Sequence, residues 1–214
     1  MSKDMQKGME AALKSAPVVP VMVIENVKDA VPLARALVKG GLPVLEITLR
    51  TAAAADAIKA IIAEVEGAIV GTGTVLTQAQ MELTEKLGCA FAVAPGSSPM
   101  LLAAARDSSV PLLPGAGTPS ESMALLEQGY HFQKFFPAEQ SGGAAYLASL
   151  STVLPLVKFC PTGGITPELA PSYLKLANVI TLGGSWMAPK KLVAEQKWAE
   201  IEALAHAAAK LKQN

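Results

Sequence analysis

Apolar and polar positions alternate in blocks along this chain, and the same block pattern repeats eight times. In each repeat, a short apolar run rich in β-branched residues ends in a polar or glycine-rich turn and precedes a segment rich in Ala, Leu, Glu and Lys. Short apolar runs of this kind predict buried parallel strands, and the segments between them predict helices that cover the sheet. The eight runs span residues 18–24, 44–49, 68–74, 91–95, 111–117, 131–137, 156–162 and 179–183.

Eight strand–helix units in about 200 residues predict an α/β fold, a single (β/α)₈ TIM barrel. We expect one domain over residues 1–214, with an extra N-terminal helix over 1–16, the barrel core over 18–186 and a C-terminal helix over 190–212. An open doubly wound sheet is the alternative. It is disfavoured because the glycine-rich turns after the third and fifth runs lack the third glycine of the dinucleotide-binding fingerprint.

The sixth run holds a lysine between aromatic residues. Strand alternation places Phe132, Lys134 and Phe136 on one face and Gln133 and Phe135 on the other. Apolar neighbours disfavour the charged form of an amine, and imine formation with a carbonyl substrate needs the neutral amine. This pattern makes the lysine a candidate nucleophile. A lysine whose stem packs while its ammonium group reaches water would give the same pattern.

A second strand lysine, Lys158, is the rival nucleophile. It opens the seventh run four residues before Thr162, so we expect it deep in the barrel or toward its other end. Lys134 lies three residues before Pro137, at the exit of its strand. Active sites of TIM barrels lie at the C-terminal ends of the strands, which favours Lys134.

The second run carries Glu46, Thr48 and Arg50 on one face of an otherwise apolar strand. Polar side chains on a buried strand cost free energy unless they line a cavity or pair with one another. The pattern predicts either a carboxylate and a guanidinium that face a substrate or an ion-pair network inside the barrel. A planar guanidinium is well suited to bind a carboxylate through two hydrogen bonds.

Hydroxyl groups, a proline and glycines close the other strands at the same predicted end. Loops after the seventh and eighth strands bind phosphate in many TIM barrels, because glycine lets backbone N–H groups approach an anion closely. The two glycine-containing loops, with Gly163, Gly164, Gly184 and Ser185, therefore predict a phosphate site. Thr74, Pro95 and Thr162 close the third, fourth and seventh strands.

Composition narrows the class of partner. Lys and Arg together number 18, as do Asp and Glu, so we expect a small-molecule partner and neither nucleic acid nor an anionic membrane. The sequence lacks an apolar run of the ~18 residues that a membrane span needs, and its first residues lack the apolar core of a signal peptide. Cys89 and Cys160 lie far apart in apolar runs, which is typical of buried thiols in a reducing compartment. We expect a soluble cytoplasmic protein.

Two stretches resemble the signatures of the 2-keto-3-deoxy-6-phosphogluconate (KDPG) and 4-hydroxy-2-oxoglutarate (KHG) aldolase family. They are GLPVLEITLR over residues 41–50 and GYHFQKFFPAE over residues 129–139. Shorter matches are VGTGT at 70–74, APG at 94–96, FCPTGG at 159–164 and GGSW at 183–186. The resemblance implies a class I aldolase without metal or cofactor on a (β/α)₈ barrel, usually a homotrimer in bacterial cytoplasm.

The same resemblance implies roles for the candidate residues. Lys134 would form the Schiff base and Glu46 would transfer protons. Arg50 and Thr74 would bind the substrate carboxylate, and Thr162 would help set the stereochemistry of the new bond. Pro95 is included among the substrate-binding residues, and the phosphate would be held by Gly163, Gly164, Gly184 and Ser185.

The substrate expected from the resemblance is a phosphorylated 2-keto sugar acid that yields pyruvate. KDPG, its galactonate epimer and unphosphorylated KHG stay open as the preferred substrate. Two other classes also stay open. A non-catalytic phosphosugar-binding barrel would keep the glycine loops without needing the lysine, and a metal-dependent phosphosugar epimerase would need His or Asp ligands at the strand ends.

Overall fold

The computed structural model of the protein describes residues 3–211, which contain nine strands and ten helices. The strands are β1 (Val18–Met22), β2 (Val44–Thr48), β3 (Ile69–Gly73), β4 (Phe91–Val93), β5 (Leu112–Leu113), β6 (Gly115–Ala116), β7 (Phe132–Phe135), β8 (Lys158–Pro161) and β9 (Leu182–Gly184). The helices are α1 (Lys3–Lys14), α2 (Val27–Lys39), α3 (Ala54–Glu64), α4 (Gln78–Lys86), α5 (Pro99–Asp107), α6 (Pro119–Glu127), α7 (Gly143–Leu150), α8 (Ala170–Leu174), α9 (Lys190–Ala194) and α10 (Trp198–Ala209).

The strands form a curled parallel sheet covered by helices, as the block pattern predicts. Six strands are hydrogen-bonded in the order β5-β4-β3-β2-β1-β9, and three more in the order β6-β7-β8. The register places Glu46 opposite Gly71 on one side and Val21 on the other. The fold is therefore α/β, with the strands curved into a partial barrel and their C-terminal ends on one rim.

The fifth predicted strand, over residues 111–117, is divided in the structure. Pro114 separates β5 from β6, and proline interrupts a ladder because it has no N–H to donate. As a result β5 pairs with β4, while β6 pairs with β7. The expected continuous eight-strand barrel is thus present as two hydrogen-bonded sheets, which isolated bridges join at Phe159–Val179 and Thr162–Gly183.

Helix α1 packs at the end of the sheet opposite the rim. Met9 and Leu13 are buried in a cluster with residues from strands of both sheets. The strand residues of this cluster are Val19, Val44, Phe91, Val93, Leu113, Phe132 and Cys160. On α1, Gln6 Nε2 also donates a hydrogen bond to the Gly129 carbonyl, just before β7. Helix α1 is therefore held against the sheet by core packing.

The single C-terminal helix predicted over residues 190–212 is wrong, because the segment forms α9 and α10 instead. Gln196 lies between them with φ +53°, a left-handed conformation that cannot continue a right-handed helix. Position 212, like positions 1 and 2 of the predicted N-terminal helix, lies outside the described residues.

Residues 3–211 contain neither a helix that could span a membrane nor a cluster that could bind a metal ion. Within that range, no helix combines the length and apolar character needed to cross a bilayer. In the same range, no three His, Cys, Asp or Glu side chains are grouped so that they could hold a metal ion.

Candidate active site

A buried ion pair links two distant strands inside the curled sheet. The Nζ of Lys134, on β7, lies 3.2 Å from Oε1 of Glu46, on β2, and the two side chains are only 6% and 4% exposed. The ammonium group therefore does not reach bulk water. Removing one member of such a pair leaves a buried charge without a partner, so the two groups depend on each other.

Strand alternation places Lys134 in this interior, as the sequence predicts. Phe132 belongs to the interior cluster with α1, whereas Phe135 points the other way and stacks on Tyr146 with 5.5 Å between ring centroids. Beyond the strand, the ring centroid of Phe136 lies 5.6 Å from the lysine Nζ. An aromatic face at that distance attracts a cation and excludes water from it.

The Glu46 carboxylate lies directly against the backbone of β3. A Cβ atom added at Gly73 would overlap Oε1 and Cγ of Glu46. Glycine at this position therefore makes room for the carboxylate that faces Lys134. The sequence shows the glycine but not this reason for it, which depends on the packing of β2 against β3.

Arg50 is positioned at the end of β2 by its neighbour on the same face. The Thr48 hydroxyl donates to the Met22 carbonyl at 3.0 Å, and Arg50 Nε donates to the Thr48 hydroxyl oxygen at 3.2 Å. Glu46 pairs with Lys134, and Arg50 makes no ion pair with a carboxylate of the described residues. Its guanidinium group is thus left for a ligand.

A cavity of about 730 Å³ opens at the rim beside the buried pair. Most of the predicted substrate-binding residues line it, namely Arg50, Thr162, Gly163, Gly164, Gly184 and Ser185, together with Phe136. Lys134 and Glu46 do not line this cavity. Phe136 borders both regions, because it lines the cavity and its ring centroid lies 5.6 Å from the lysine Nζ.

Thr74 and Pro95 follow β3 and β4, and the structure does not bring them into the cavity lining. Thr74 has φ +58°, an unusual conformation for a β-branched residue. Pro95 lies so close to β6 that a Cβ added at Gly115 would overlap the Pro95 carbonyl group. Both residues close strands at the same rim, as predicted.

The two glycine pairs, 163–164 in the loop after β8 and 183–184 at the end of β9, differ in why they need glycine. Gly163 and Gly164 have φ of +107° and +77°, which residues with a side chain rarely adopt. Gly183 would overlap the Thr162 hydroxyl if it carried a Cβ, and Gly184 would overlap the Trp186 ring. The expectation that Gly184 is glycine to admit an anion is therefore incomplete, because the indole already requires it.

The rival Lys158 lies away from this cavity. It begins β8, and its Nζ donates to the Ala177 carbonyl at 2.7 Å. Three charged residues that the sequence did not indicate also line the cavity, namely Glu25, Asp29 and Lys190. Lys190 Nζ lies 3.2 Å from Glu25 Oε1 at the exposed mouth, and neither residue belongs to a recognisable motif.

Taken together, a buried lysine beside a carboxylate and a cavity with a free guanidinium and glycine loops define an enzyme that forms an imine with an anionic carbonyl compound. The sequence profile for the aldolases described as KDPG and KHG aldolase matches residues 9–204. The chain belongs to this family, and the resemblance seen in its motifs is confirmed.

Relatives and solved structures agree over nearly the whole chain. A 2-dehydro-3-deoxy-phosphogluconate aldolase of Pseudoalteromonas atlantica is 46% identical over 96% of this chain and 95% of its own. The KHG/KDPG aldolase of Escherichia coli K12 is 44% identical over 96% of this chain and 97% of its own. The KDPG aldolase of Legionella pneumophila, with pyruvate captured at low pH as a covalent carbinolamine intermediate, superposes with a TM-score of 0.92 at 42% identity, covering 94% of this chain and 98% of that one. The 2-keto-3-deoxy-6-phosphogluconate aldolase of Zymomonas mobilis ZM4 with 3-phosphoglycerate superposes with a TM-score of 0.90 at 44% identity. The match covers 100% of this chain and 98% of that one.

Proposed function

We propose that this protein is a class I aldolase that cleaves KDPG to pyruvate and glyceraldehyde 3-phosphate, and KHG to pyruvate and glyoxylate. The observation that carries the proposal is the buried contact of 3.2 Å between Lys134 Nζ and Glu46 Oε1. The names of the relatives support the two substrates, and the carbinolamine of the Legionella pneumophila enzyme supports the covalent route.

In this mechanism the Lys134 amine adds to C2 of the keto acid, and loss of water gives a protonated imine. Glu46 takes the proton of the C4 hydroxyl while the C3–C4 bond breaks. The electron pair of that bond moves into the imine, which becomes an enamine, and the aldehyde product leaves. Glu46 then returns a proton to C3, and hydrolysis of the imine releases pyruvate and the free amine.

The two ends of the substrate are held by different parts of the cavity. Arg50 offers a planar guanidinium to the keto-acid carboxylate. Thr74 and Pro95 end neighbouring strands outside the cavity lining, and their part in binding the substrate stays a prediction of the family resemblance. Thr162 lines the cavity, where it can orient the substrate at the bond being broken. The backbone of Gly163, Gly164 and Gly184 and the hydroxyl of Ser185 hold the phosphate.

The proposal includes one eight-stranded barrel over residues 18–186. Three observations support it: only Pro114 lies between β5 and β6, two bridges join the β8 and β9 regions, and α1 packs on strands of both sheets. The homotrimer and the cytoplasmic location stay predictions of the family resemblance. Sedimentation equilibrium of the purified protein tests the first.

Borohydride reduction in the presence of pyruvate tests the proposed function directly. We expect one covalent adduct per chain, on Lys134, and cleavage of KDPG and KHG that persists in EDTA. A comparison of kcat/KM among KDPG, its galactonate epimer and KHG then identifies the preferred substrate. Failure to trap pyruvate would favour a binding protein, and loss of activity in EDTA would favour a metal-dependent enzyme.

A further inference from the structure

Glu139 ends the second family signature, yet it does not line the cavity. Its carboxylate instead accepts a hydrogen bond, at Oε1, from the hydroxyl of Tyr173 on α8. Tyr173 is fully buried. Burial, and then the nearby Glu139 carboxylate, raises the pKa of the Tyr173 phenol above its ordinary value, so the hydroxyl stays protonated and can donate.

The backbone around Glu139 runs alongside the first glycine loop. The Glu139 N–H donates to the Gly163 carbonyl at 3.1 Å, and the Ala138 N–H donates to the Thr162 carbonyl at 2.8 Å. The segment that leaves the Lys134 strand is therefore attached directly to the loop proposed to bind phosphate.

The Glu139 side chain also occupies the space beside two left-handed glycines. A Cβ added at Gly164 would lie 2.9 Å from Glu139 Cβ. One added at Gly143 would lie 3.4 Å from Glu139 Oε1 and 3.5 Å from the Tyr173 hydroxyl. With φ of +77° and +65°, these glycines leave a gap that the carboxylate fills.

We propose that Glu139 and Tyr173 are positioning residues, which hold the loop of Gly163 and Gly164 in the conformation that binds the phosphate of the substrate. The pair thereby sets the preference for phosphorylated over unphosphorylated substrates. This inference rests on the proposed function.

Charge gives the pair a second effect. A carboxylate next to a phosphate site repels the dianion. The Tyr173 hydroxyl draws the Glu139 carboxylate toward α8 and away from the cavity. Without that hydrogen bond, the carboxylate can turn toward the glycine loop and oppose phosphate binding.

Tyr173→Phe removes the hydroxyl and keeps the buried ring. A hydrogen bond to a charged group contributes ~1.5–3 kcal/mol, so we expect kcat/KM for KDPG to fall about tenfold or more, mainly through KM. Cleavage of KHG and the borohydride adduct with pyruvate, neither of which involves a phosphate, should change less than about twofold by the same argument. Tyr130→Phe is the matched control, because Tyr130 is equally buried but belongs to another core cluster.

Two changes at Glu139 separate positioning from simple packing. Glu139→Gln keeps an oxygen that accepts from Tyr173 and removes the charge, so its KDPG to KHG ratio should match or exceed that of the unmodified protein. Glu139→Ala removes the support of the loop and should also lower this ratio, but less than Tyr173→Phe, because it leaves no carboxylate to oppose the phosphate. An equal loss on both substrates in folded variants, or unchanged ratios in Tyr173→Phe and Glu139→Ala, would overturn the inference.

Binding of inorganic phosphate, measured by calorimetry, is an independent readout that needs no aldolase activity. We expect weaker binding in Tyr173→Phe and Glu139→Ala, and unchanged binding in Tyr130→Phe. If the unmodified protein bound phosphate but did not trap pyruvate, the proposed function would be wrong while the positioning role was still being tested. Equal phosphate affinity in all variants would reject the positioning role alone.

Discussion

The buried pair of Lys134 and Glu46 and the glycine loops at the rim differ in how they are built. The pair depends on side chains, fixed by strand alternation, burial and the missing Cβ of Gly73. The first glycine loop depends on backbone conformation, because φ is above +70° at Gly163 and Gly164 and neither residue has a side chain. One region is inaccessible to water, while the other lines an open cavity.

In the proposed mechanism, this difference puts the covalent chemistry and the binding of phosphate in separate parts of the molecule. Substitutions in the interior should affect every substrate that forms the imine. Substitutions at the proposed phosphate-binding residues should affect only substrates that carry a phosphate, whereas Arg50 would bind the carboxylate that KDPG and KHG share. The following changes test that separation.

Lys134→Ala should have the largest effect. Because the covalent route is lost, we expect turnover of KDPG and KHG to fall by roughly 10⁴-fold or more, with no borohydride adduct. The unpaired Glu46 carboxylate is also expected to lower the free energy of unfolding by roughly 3–5 kcal/mol, which denaturant titration measures. Lys158→Ala is the matched control and should keep full activity. A full adduct in Lys134→Ala would show that another amine is the nucleophile.

Glu46→Gln should keep the imine and lose the proton transfer. Since general acid–base catalysis contributes ~10²–10⁴-fold, we expect kcat to fall by that factor on both substrates. Single-turnover kinetics with borohydride quenching would show the imine accumulating before bond cleavage. If kcat stayed near normal, a water molecule or another side chain would be the base.

Gly73→Ala should disturb the same carboxylate without removing it. The new methyl group overlaps Glu46 Oε1, and a displacement of about 1 Å can cost ~10²-fold in rate. We therefore expect a fall in kcat between roughly tenfold and 10²-fold on both substrates, measured at saturating KDPG and KHG. Gly8→Ala is the control, because nothing lies within 4 Å of its added Cβ on α1. That change should leave kcat unaltered and raise stability by about 0.5–1 kcal/mol.

Ser185→Ala should have the smallest effect and the sharpest selectivity. It removes one hydroxyl from the phosphate site, so we expect kcat/KM for KDPG to fall about tenfold while KHG is unaffected. Gly184→Val is a poorer test, because its side chain would collide with Trp186 before it reached a ligand. Equal losses on both substrates for Ser185→Ala would mean that the interior and the rim are coupled.

Local patterns were enough to predict most of the fold. Apolar runs bounded by turns predicted the strands, and alternation placed Lys134 and Phe132 on the interior face. The break at Pro114 was visible in the sequence, but its consequence was not, since β5 and β6 take different partners only in the folded sheet. The turn at Gln196 carried no glycine or proline signal at the break itself.

The site was predicted to the extent that strand ends define it. Arg50, Thr162 and Ser185 meet in the cavity because parallel strands end on one rim. The partner of Glu139 could not be predicted, because Tyr173 lies 34 residues away on a short helix with no motif of its own. Contacts between side chains of separate helices and loops depend on tertiary packing, which periodicity does not encode.

The burial of both thiols provides a way to measure local unfolding of this protein. Cys89 and Cys160 are the only cysteines in the chain, and burial raises the pKa of each thiol to about 12. A thiol reacts with alkylating reagents as its thiolate, so neither residue is reactive in the folded state. The rate of alkylation therefore measures how often local unfolding exposes each thiol. Cys160 pairs in register with Lys134, so its labelling reports when the catalytic strand separates, while Cys89 reports on a different core cluster.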